Sequence, residues 1–162
     1  MDSEVSMEFL AMAEMHGHKA DAPSATPESV LGYKTSDLIA AGRLLQGFCY
    51  AASKAGGWHN DIHTGAPRTL EQNDEMFPLR IALCHSELSE ALEGHRKTLM
   101  DDKLPHRKMP EVELADALIR EFDLGASLYY DLGGALVEKV IYNLKRLDHK
   151  PDSRKKAGGK AY

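Results

Sequence analysis

Two pairs of acidic residues share one spacing and could together hold a metal ion. Glu87 and Glu90 are three residues apart, and Glu113 and Asp116 repeat that spacing after a gap of 22 residues. On a helix, residues three apart lie on the same face. If two such helices pack together, carboxylates about 5 Å apart repel by roughly 3 kcal/mol at an effective dielectric of about 20. Such acids must take up protons or bind a cation, and their oxygens suit Mg²⁺ or Mn²⁺.

The alternative for each acidic pair is an ordinary solvated helix face, because exposed glutamates are common on helices. Apolar residues border both pairs, among them Leu88, Ala91, Leu114 and Ala117. This pattern predicts that the acids lie near the margin of a buried face. On the residues alone, both interpretations stay open.

A polar stripe further along the chain could complement the acids. Lys139, Asn143 and Arg146 follow one another at spacings of four and three. Two cations and an amide on one stripe could grip a polyphosphate whose other side is bound by metal. The alternative is a solvated basic face near a helix C-terminus, where cations are favoured by the helix dipole.

Three further residues are candidates with open alternatives. Trp58, the single tryptophan, follows Gly56-Gly57 and could stack on a nucleobase or close the core. Lys160 lies in the tail Gly158–Tyr162, which could fold over a ligand or fray. Asp123, seven residues after Asp116, could be a fifth acid of the site or a helix-surface residue.

The elements that must position these residues are predicted to be helices. Apolar residues recur at helical spacing, Pro78 and Pro110 suit first turns, and Asp131 suits an N-cap. The predicted helices span about 36–55, 78–97, 110–130 and 131–149, with loops at 58–77 and 98–109. No segment alternates like a strand, so we predict an all-α, four-helix bundle-type domain over 36–162. Residues 1–35 are predicted to be an N-terminal extension, with a possible short helix followed by a proline-containing linker.

Composition narrows the function class. A formal net charge of -5 argues against a general nucleic-acid binder, which needs a basic surface. No segment approaches the roughly 18 apolar residues that span a bilayer, and the acidic start Met1–Glu4 is unlike a secretory signal. We therefore expect a cytoplasmic protein without a membrane partner, in which Cys49 and Cys84 are buried, reduced thiols.

The two acidic motifs resemble the signature of the MazG-like all-α nucleoside triphosphate pyrophosphohydrolase superfamily. The matching segments are Ser86–Ala91 and Glu113–Arg120, followed by Lys139-x-x-x-Asn143-x-x-Arg146. The Gly57-Trp58 loop and the Gly-Gly-Lys tail are most similar to the short, single-domain members carried by bacteriophages. The resemblance covers about residues 36–162 and does not extend to the N-terminal extension.

This resemblance implies hydrolysis of a (d)NTP to a monophosphate and pyrophosphate. By position, the four acids would be ligands of Mg²⁺, with Mn²⁺ as a substitute, and one acid would help to orient or deprotonate the attacking water. Lys139 and Asn143 would contact phosphates, with Arg146 as a weaker transfer, and base contacts would involve Trp58. The resemblance also implies a homodimer or a dimer of dimers. It favours dGTP or GTP as substrate, with dCTP and dUTP as competitors.

Two other classes of helical protein also place acids on packed or exposed helices. A di-iron carboxylate bundle needs Glu-x-x-His motifs, and no histidine of this sequence lies three residues after a glutamate. A non-catalytic helical interaction module, with the acids as a solvated face, would bind no nucleotide. The residues alone exclude only the first of these.

Overall fold

The computed structural model describes residues 32–159. The predicted short helix of the N-terminal extension and Lys160 lie outside these residues. The described chain forms two compact units. One unit is Leu38–Val140, and the other comprises the described residues of both ends, 32–37 and 141–159.

Helices make up the regular structure of the described residues. They are α1 (Thr35–Ala55), α2 (Leu70–Glu75), α3 (Phe77–Lys97), α4 (Met109–Ser127), α5 (Leu132–Lys145), a 3₁₀ turn (Leu147–His149) and α6 (Pro151–Arg154). Within residues 32–159 no strand forms, and only two isolated β-bridges occur, Asn60 with Pro67 and Met100 with Lys108. The predicted all-α class is therefore confirmed, while the bundle arrangement stays a prediction.

The most extensive helix packing is between α3 and α4, which form an antiparallel hairpin. Both helices carry a proline in their first turn, as predicted, where a missing backbone N–H costs nothing. The hairpin is tight because Gly94 carries no side chain: a Cβ there would lie 2.9 Å from Cβ of Met109. α3 ends at Thr98, whose left-handed φ of 55° turns the chain toward α4.

α1 and the start of α5 touch through glycine. A Cβ on Gly42 would lie 2.7 Å from Cα of Gly133, so neither position has room for a side chain. The amide of Gln46 donates to the carbonyl of Tyr130 and accepts from the N–H of Leu132. Asp131 caps α5 as predicted, its Oδ1 accepting from the N–H of Gly134 at 3.0 Å.

Two predicted boundaries were wrong. The loop predicted at 58–77 contains α2, which begins with a capping box: Thr69 Oγ1 accepts from the N–H of Gln72, whose Oε1 accepts from the N–H of Thr69. The fourth predicted helix ends at Lys145, not near 149. A separate 3₁₀ turn follows it. That turn is tied by the Arg146 guanidinium, whose Nη2 donates to Asp148 at 2.7 Å.

Several leucines that recur at helical spacing are exposed in the single chain. The buried residues of α3 are Cys84, Glu87, Ala91 and Gly94. Leu88 and Leu92 lie outside that set and are exposed, as are Leu114 and Leu118 of α4. The buried residues of α3 are therefore small or acidic, because close helix packing leaves little room for leucine.

The cysteines and the apolar character of the helices bear on two further predictions. Cys49 and Cys84 are free and buried, as predicted. Within residues 32–159, no helix combines the length and apolar character that crossing a lipid bilayer requires.

Candidate metal centre

The acids lie on the facing sides of α3 and α4. Glu87 follows Cys84 by three residues and precedes Ala91 by four, so helical periodicity places it on the buried face of α3. Glu113 lies likewise on the buried face of α4, four residues before Ala117. The residues Glu87 and Glu113 are 6% and 8% exposed, so they are more deeply placed than the predicted margin.

Three of the four predicted acids converge. One carboxylate oxygen from each of Glu87, Glu90 and Glu113 can be chosen so that all lie within 4.8 Å of one another. Oxygens bound to one Mg²⁺ at about 2.1 Å lie at most about 4.2 Å apart, so small side-chain adjustments would let the three carboxylates bind one ion. The donor set, three hard carboxylate oxygens with one exposed side, therefore fits Mg²⁺ or Mn²⁺.

Asp116 is half-buried one turn beyond Glu113 and belongs to the same electrostatic cluster. Its pKa is raised by burial and then by the charge of Glu87, with Asp101 adding to the effect and Arg120 opposing it. It is not among the three acids whose oxygens converge. Asp116 would be a fourth carboxylate ligand beside these three.

The crowding of negative charge is greatest at Glu113. Burial, a hydrogen bond with Glu87 and the charges of Glu90, Glu87 and Asp116 raise the pKa of Glu113 to about 7. At neutral pH the carboxyl is therefore only partly ionised, and a proton and a metal ion compete for it. A solvated helix face would not produce this environment, so the exposed-face alternative does not describe Glu87 or Glu113.

A cation already contacts the cluster. Arg120 lies one turn beyond Asp116 on α4, and its Nε and Nη2 both lie 2.7 Å from Oε1 of Glu87. The Glu87 side chain is 8% exposed, whereas that of Arg120 is 42% exposed. The guanidinium therefore enters the cluster from its solvent side.

The loop between α3 and α4 contributes a buried acid, Asp101. The sequence predicted only that this residue lies in a loop. Asp101 is 5% exposed, and its Oδ1 accepts from the backbone N–H groups of Lys103 and Leu104 at 2.9 and 2.6 Å. This is an Asx turn, so the carboxylate shapes the loop. Its charge also reaches Asp116, as the raised pKa of Asp116 shows.

A second buried charged cluster lies along the same helix pair. Nε2 of His59 and Oδ1 of Asp123 are 2.6 Å apart, and Nη1 of Arg80 lies 3.7 Å from Oδ2 of Asp123. Arg80 also donates to Oγ of Ser127 at 2.9 Å and to Oδ1 of Asn73 at 3.2 Å. Asp123, with a side chain 15% exposed, is therefore neither a surface residue nor a member of the three-glutamate cluster.

This His59–Asp123–Arg80 cluster anchors the loop that carries Trp58. The carbonyl of His59 accepts from the N–H of Arg68 at 2.9 Å, and the Arg68 guanidinium donates to the carbonyl of Trp58 at 2.8 Å. The Trp58 residue itself is 75% exposed, so it does not close the core of the single chain. Its predicted contact with a base stays a prediction.

The polar stripe of the fourth predicted helix is only partly helical. Lys139 and Asn143 lie on α5, with Lys139 exposed. Within residues 32–159, Oδ1 of Asn143 is buried without a hydrogen-bond partner. Arg146 follows the last residue of α5 and pairs with Asp148, which raises the pKa of its guanidinium. Contact of these residues with phosphate stays a prediction, as does that of Lys160, which lies outside the described residues.

Sequence reasoning missed His59, Arg80, Asp101 and Arg120. A signal was present for Arg80, which precedes Cys84 by four and Glu87 by seven residues and so falls on the same helix face. Arg120 likewise follows Asp116 by four. No comparable signal marks His59, because its partner lies 64 positions away in the sequence.

Comparison with known proteins does not add a family. No protein-family model, curated protein or solved structure matches this chain. The functional conclusion therefore depends on the geometry of the site and on the residues that form it.

Proposed function

We propose that this protein is a Mg²⁺-dependent nucleoside triphosphate pyrophosphohydrolase that converts a (d)NTP and water to a (d)NMP and pyrophosphate. The observation that carries the proposal is the convergence of Glu87, Glu90 and Glu113 between two helices. A buried cluster of acids is costly unless a cation compensates it. The resemblance of the acidic motifs to MazG-like enzymes supplies the reaction.

In this proposal the four acids form the metal site. Glu87, Glu90, Glu113 and Asp116 would hold Mg²⁺, or Mn²⁺ in its place. The ion would polarise the phosphate and lower the pKa of a bound water. One of the four acids would also help to orient or deprotonate the attacking water.

Other residues would bind the phosphates and the base of the substrate. Lys139 and Asn143 would bind phosphate oxygens, with Arg146 and Lys160 as further candidates. Trp58 would contact the base, because it is exposed on an anchored loop and an aromatic face can stack on any nucleobase. On the resemblance to phage-type members we propose dGTP or GTP as substrate, with dCTP and dUTP as the alternatives.

A panel of natural and modified nucleoside triphosphates tests the reaction. We expect pyrophosphate release with Mg²⁺, highest with dGTP, and none after chelation by EDTA. A preference for dCTP or dUTP would keep the reaction and change the substrate, whereas release of orthophosphate would reject it. No turnover, together with no thermal stabilisation by Mg²⁺ and a dNTP, would identify a non-catalytic interaction module.

We further propose that the chain works as a homodimer or homotetramer in which a second copy covers α1. The outward side of α1 carries exposed apolar residues, and Leu44 and Phe48 are 73% and 69% exposed. Leaving such a stripe in water is unfavourable, at roughly 25 cal/mol per Å² of apolar surface. The exposed leucines of α3 and α4 add to this uncovered surface.

Phe48→Asp is expected to shift the protein to a smaller species, because a carboxylate cannot be buried unpaired in an apolar interface. Sedimentation velocity at micromolar concentration measures the change. The matched control is Ile62→Asp, which places the same charge on a loop residue that is 87% exposed. A wild-type protein that sediments as a monomer at all concentrations would contradict the assembly.

A further inference from the structure

The guanidinium of Arg120 lies where it would compete with a divalent ion for the carboxylate of Glu87. Its Nε and Nη2 both lie 2.7 Å from Oε1 of Glu87, the same carboxylate that contributes an oxygen to the three-glutamate cluster. Charge-assisted hydrogen bonds of this kind are strong and directional. A divalent ion that approaches Glu87 must therefore either displace the guanidinium or accept it as a neighbour.

The burial of the two partners indicates which one moves. The Glu87 side chain is 8% exposed and packed between the helices, whereas that of Arg120 is 42% exposed. Arg120 is on α4, at the end of a long flexible side chain that can rotate into solvent without disturbing the backbone. Glu87 has no comparable freedom, so exchange would proceed by movement of Arg120.

We propose that Arg120 is the built-in counter-ion of the acidic cluster: it neutralises Glu87 in the metal-free protein, gives way to the divalent ion, and then binds the phosphate groups of the substrate. This inference rests on the proposed function and names a substrate-binding residue for it. Two oxygens that share one Mg²⁺ lie at most about 4.2 Å apart. A guanidinium that contacts Glu87 is thus within reach of a phosphate oxygen in the same coordination shell.

The counter-ion role has a physical purpose. Without a cation, Glu87, Glu90, Glu113 and Asp116 would repel one another between two closely packed helices. Arg120 offsets part of this repulsion, so the hairpin can fold before metal arrives. The planar guanidinium also matches a phosphate in two-point contact, which a lysine cannot do.

The direct test follows the Arg120 Nε–H group by NMR in protein labelled with ¹⁵N-arginine, with the resonance assigned from its loss in Arg120→Gln. We expect a signal protected from solvent exchange in the metal-free protein, loss of that protection with saturating Mg²⁺, and a new shifted signal when a non-hydrolysable dNTP analogue is added. A resonance that keeps its position and protection in saturating Mg²⁺ would overturn the proposal.

Affinities give an independent readout. In Arg120→Gln, we expect Mn²⁺ to bind at least about tenfold more tightly without nucleotide, because no strong charge-assisted bond has to be broken, while KM for the dNTP rises about tenfold. Arg96→Gln removes an exposed cation about 13 Å along the helix from Glu87 and should change neither value. Equal Mn²⁺ affinity in wild type and Arg120→Gln would refute the exchange.

Two further measurements concern the Arg120→Lys variant and the activity of the wild-type protein. If Arg120→Gln does not fold, Arg120→Lys keeps the charge but loses the two-point contact, and it should show the rise in KM. If the wild-type protein hydrolyses no nucleotide, the proposed reaction fails. The response of the Arg120 signal to Mg²⁺ still decides whether the cation displaces the guanidinium.

Discussion

Replacing Glu113 with glutamine is expected to abolish turnover while making the metal-free protein more stable above pH 7. Partners outside a metal's coordination shell alone cost about 10–100-fold when mutated, so loss of a ligand should cost at least about 100-fold. The gain in stability arises because the amide carries no charge in a cluster that raises the pKa of Glu113 to about 7.

The pH dependence of this gain follows from proton binding. Native Glu113 keeps its proton to about pH 7, whereas the unfolded chain loses it near the ordinary value of 4.5. Between these values the native state binds more protons, so the free energy of unfolding falls as pH rises and stays low above pH 7. At about 1.4 kcal/mol per pKa unit, the loss is at most about 3 kcal/mol. Glu113→Gln removes this dependence.

Thermal unfolding in EDTA at pH 5 and pH 8 measures the effect. The wild type should lose stability between the two pH values relative to Glu113→Gln, and Mg²⁺ should restore the wild type more than the variant. Glu111→Gln is the matched control, since Glu111 is exposed on the same helix and pairs with Arg107. A Glu113→Gln protein that unfolds below the wild type at pH 8 in EDTA would contradict the crowded-carboxylate account.

Asp123→Ala is expected to lower the free energy of unfolding by about 3–5 kcal/mol, the usual cost of removing one partner from a buried ion pair. Arg80, whose side chain is 12% exposed, would keep its charge without the facing carboxylate. Burial lowers the pKa of Arg80 and the charge of Asp123 opposes that effect. His59 would lose its 2.6 Å contact at the same time.

Urea unfolding followed by far-ultraviolet circular dichroism measures this change, because helices make up the regular structure of the described residues. Arg107→Met, which breaks an exposed ion pair, should cost at most about 1 kcal/mol. The double variant Arg80→Met/Asp123→Ala should lose less than the sum of the losses in Arg80→Met and Asp123→Ala, since no buried charge remains unpaired. Additive losses would show that the two residues do not act as a pair.

Local chemistry explains which parts of the fold could be predicted. Pro78, Pro110 and Asp131 mark helix starts through the fixed φ of proline and the capping carboxylate, and the structure places each one there. α2 was missed although Thr69 and Gln72 form a capping box, because six residues are too few for apolar periodicity to appear. The extent of α5 was overestimated because apolar spacing continues beyond the last helical hydrogen bond.

The face that each helix buries could not be predicted in the same way. Leu88 and Leu114 satisfy helical periodicity as core residues, yet Glu87 and Glu113 occupy the buried positions. Hydrophobicity alone favours leucine inside, whereas close approach of α3 and α4 at Gly94 and Met109 selects the faces that actually meet. Because helical spacing does not show which faces meet, the sequence predicted the acids only at the margin of a buried face.

By itself, the sequence determined the all-α class, the starts of the four longer helices and the two acidic pairs, because these follow from residues a few positions apart. Only the tertiary structure decided that Glu87, Glu90 and Glu113 converge, that Arg120 reaches Glu87, and that His59 meets Asp123 and Arg80. Those contacts join residues tens of positions apart. Their existence depends on how helices pack, which no local spacing encodes.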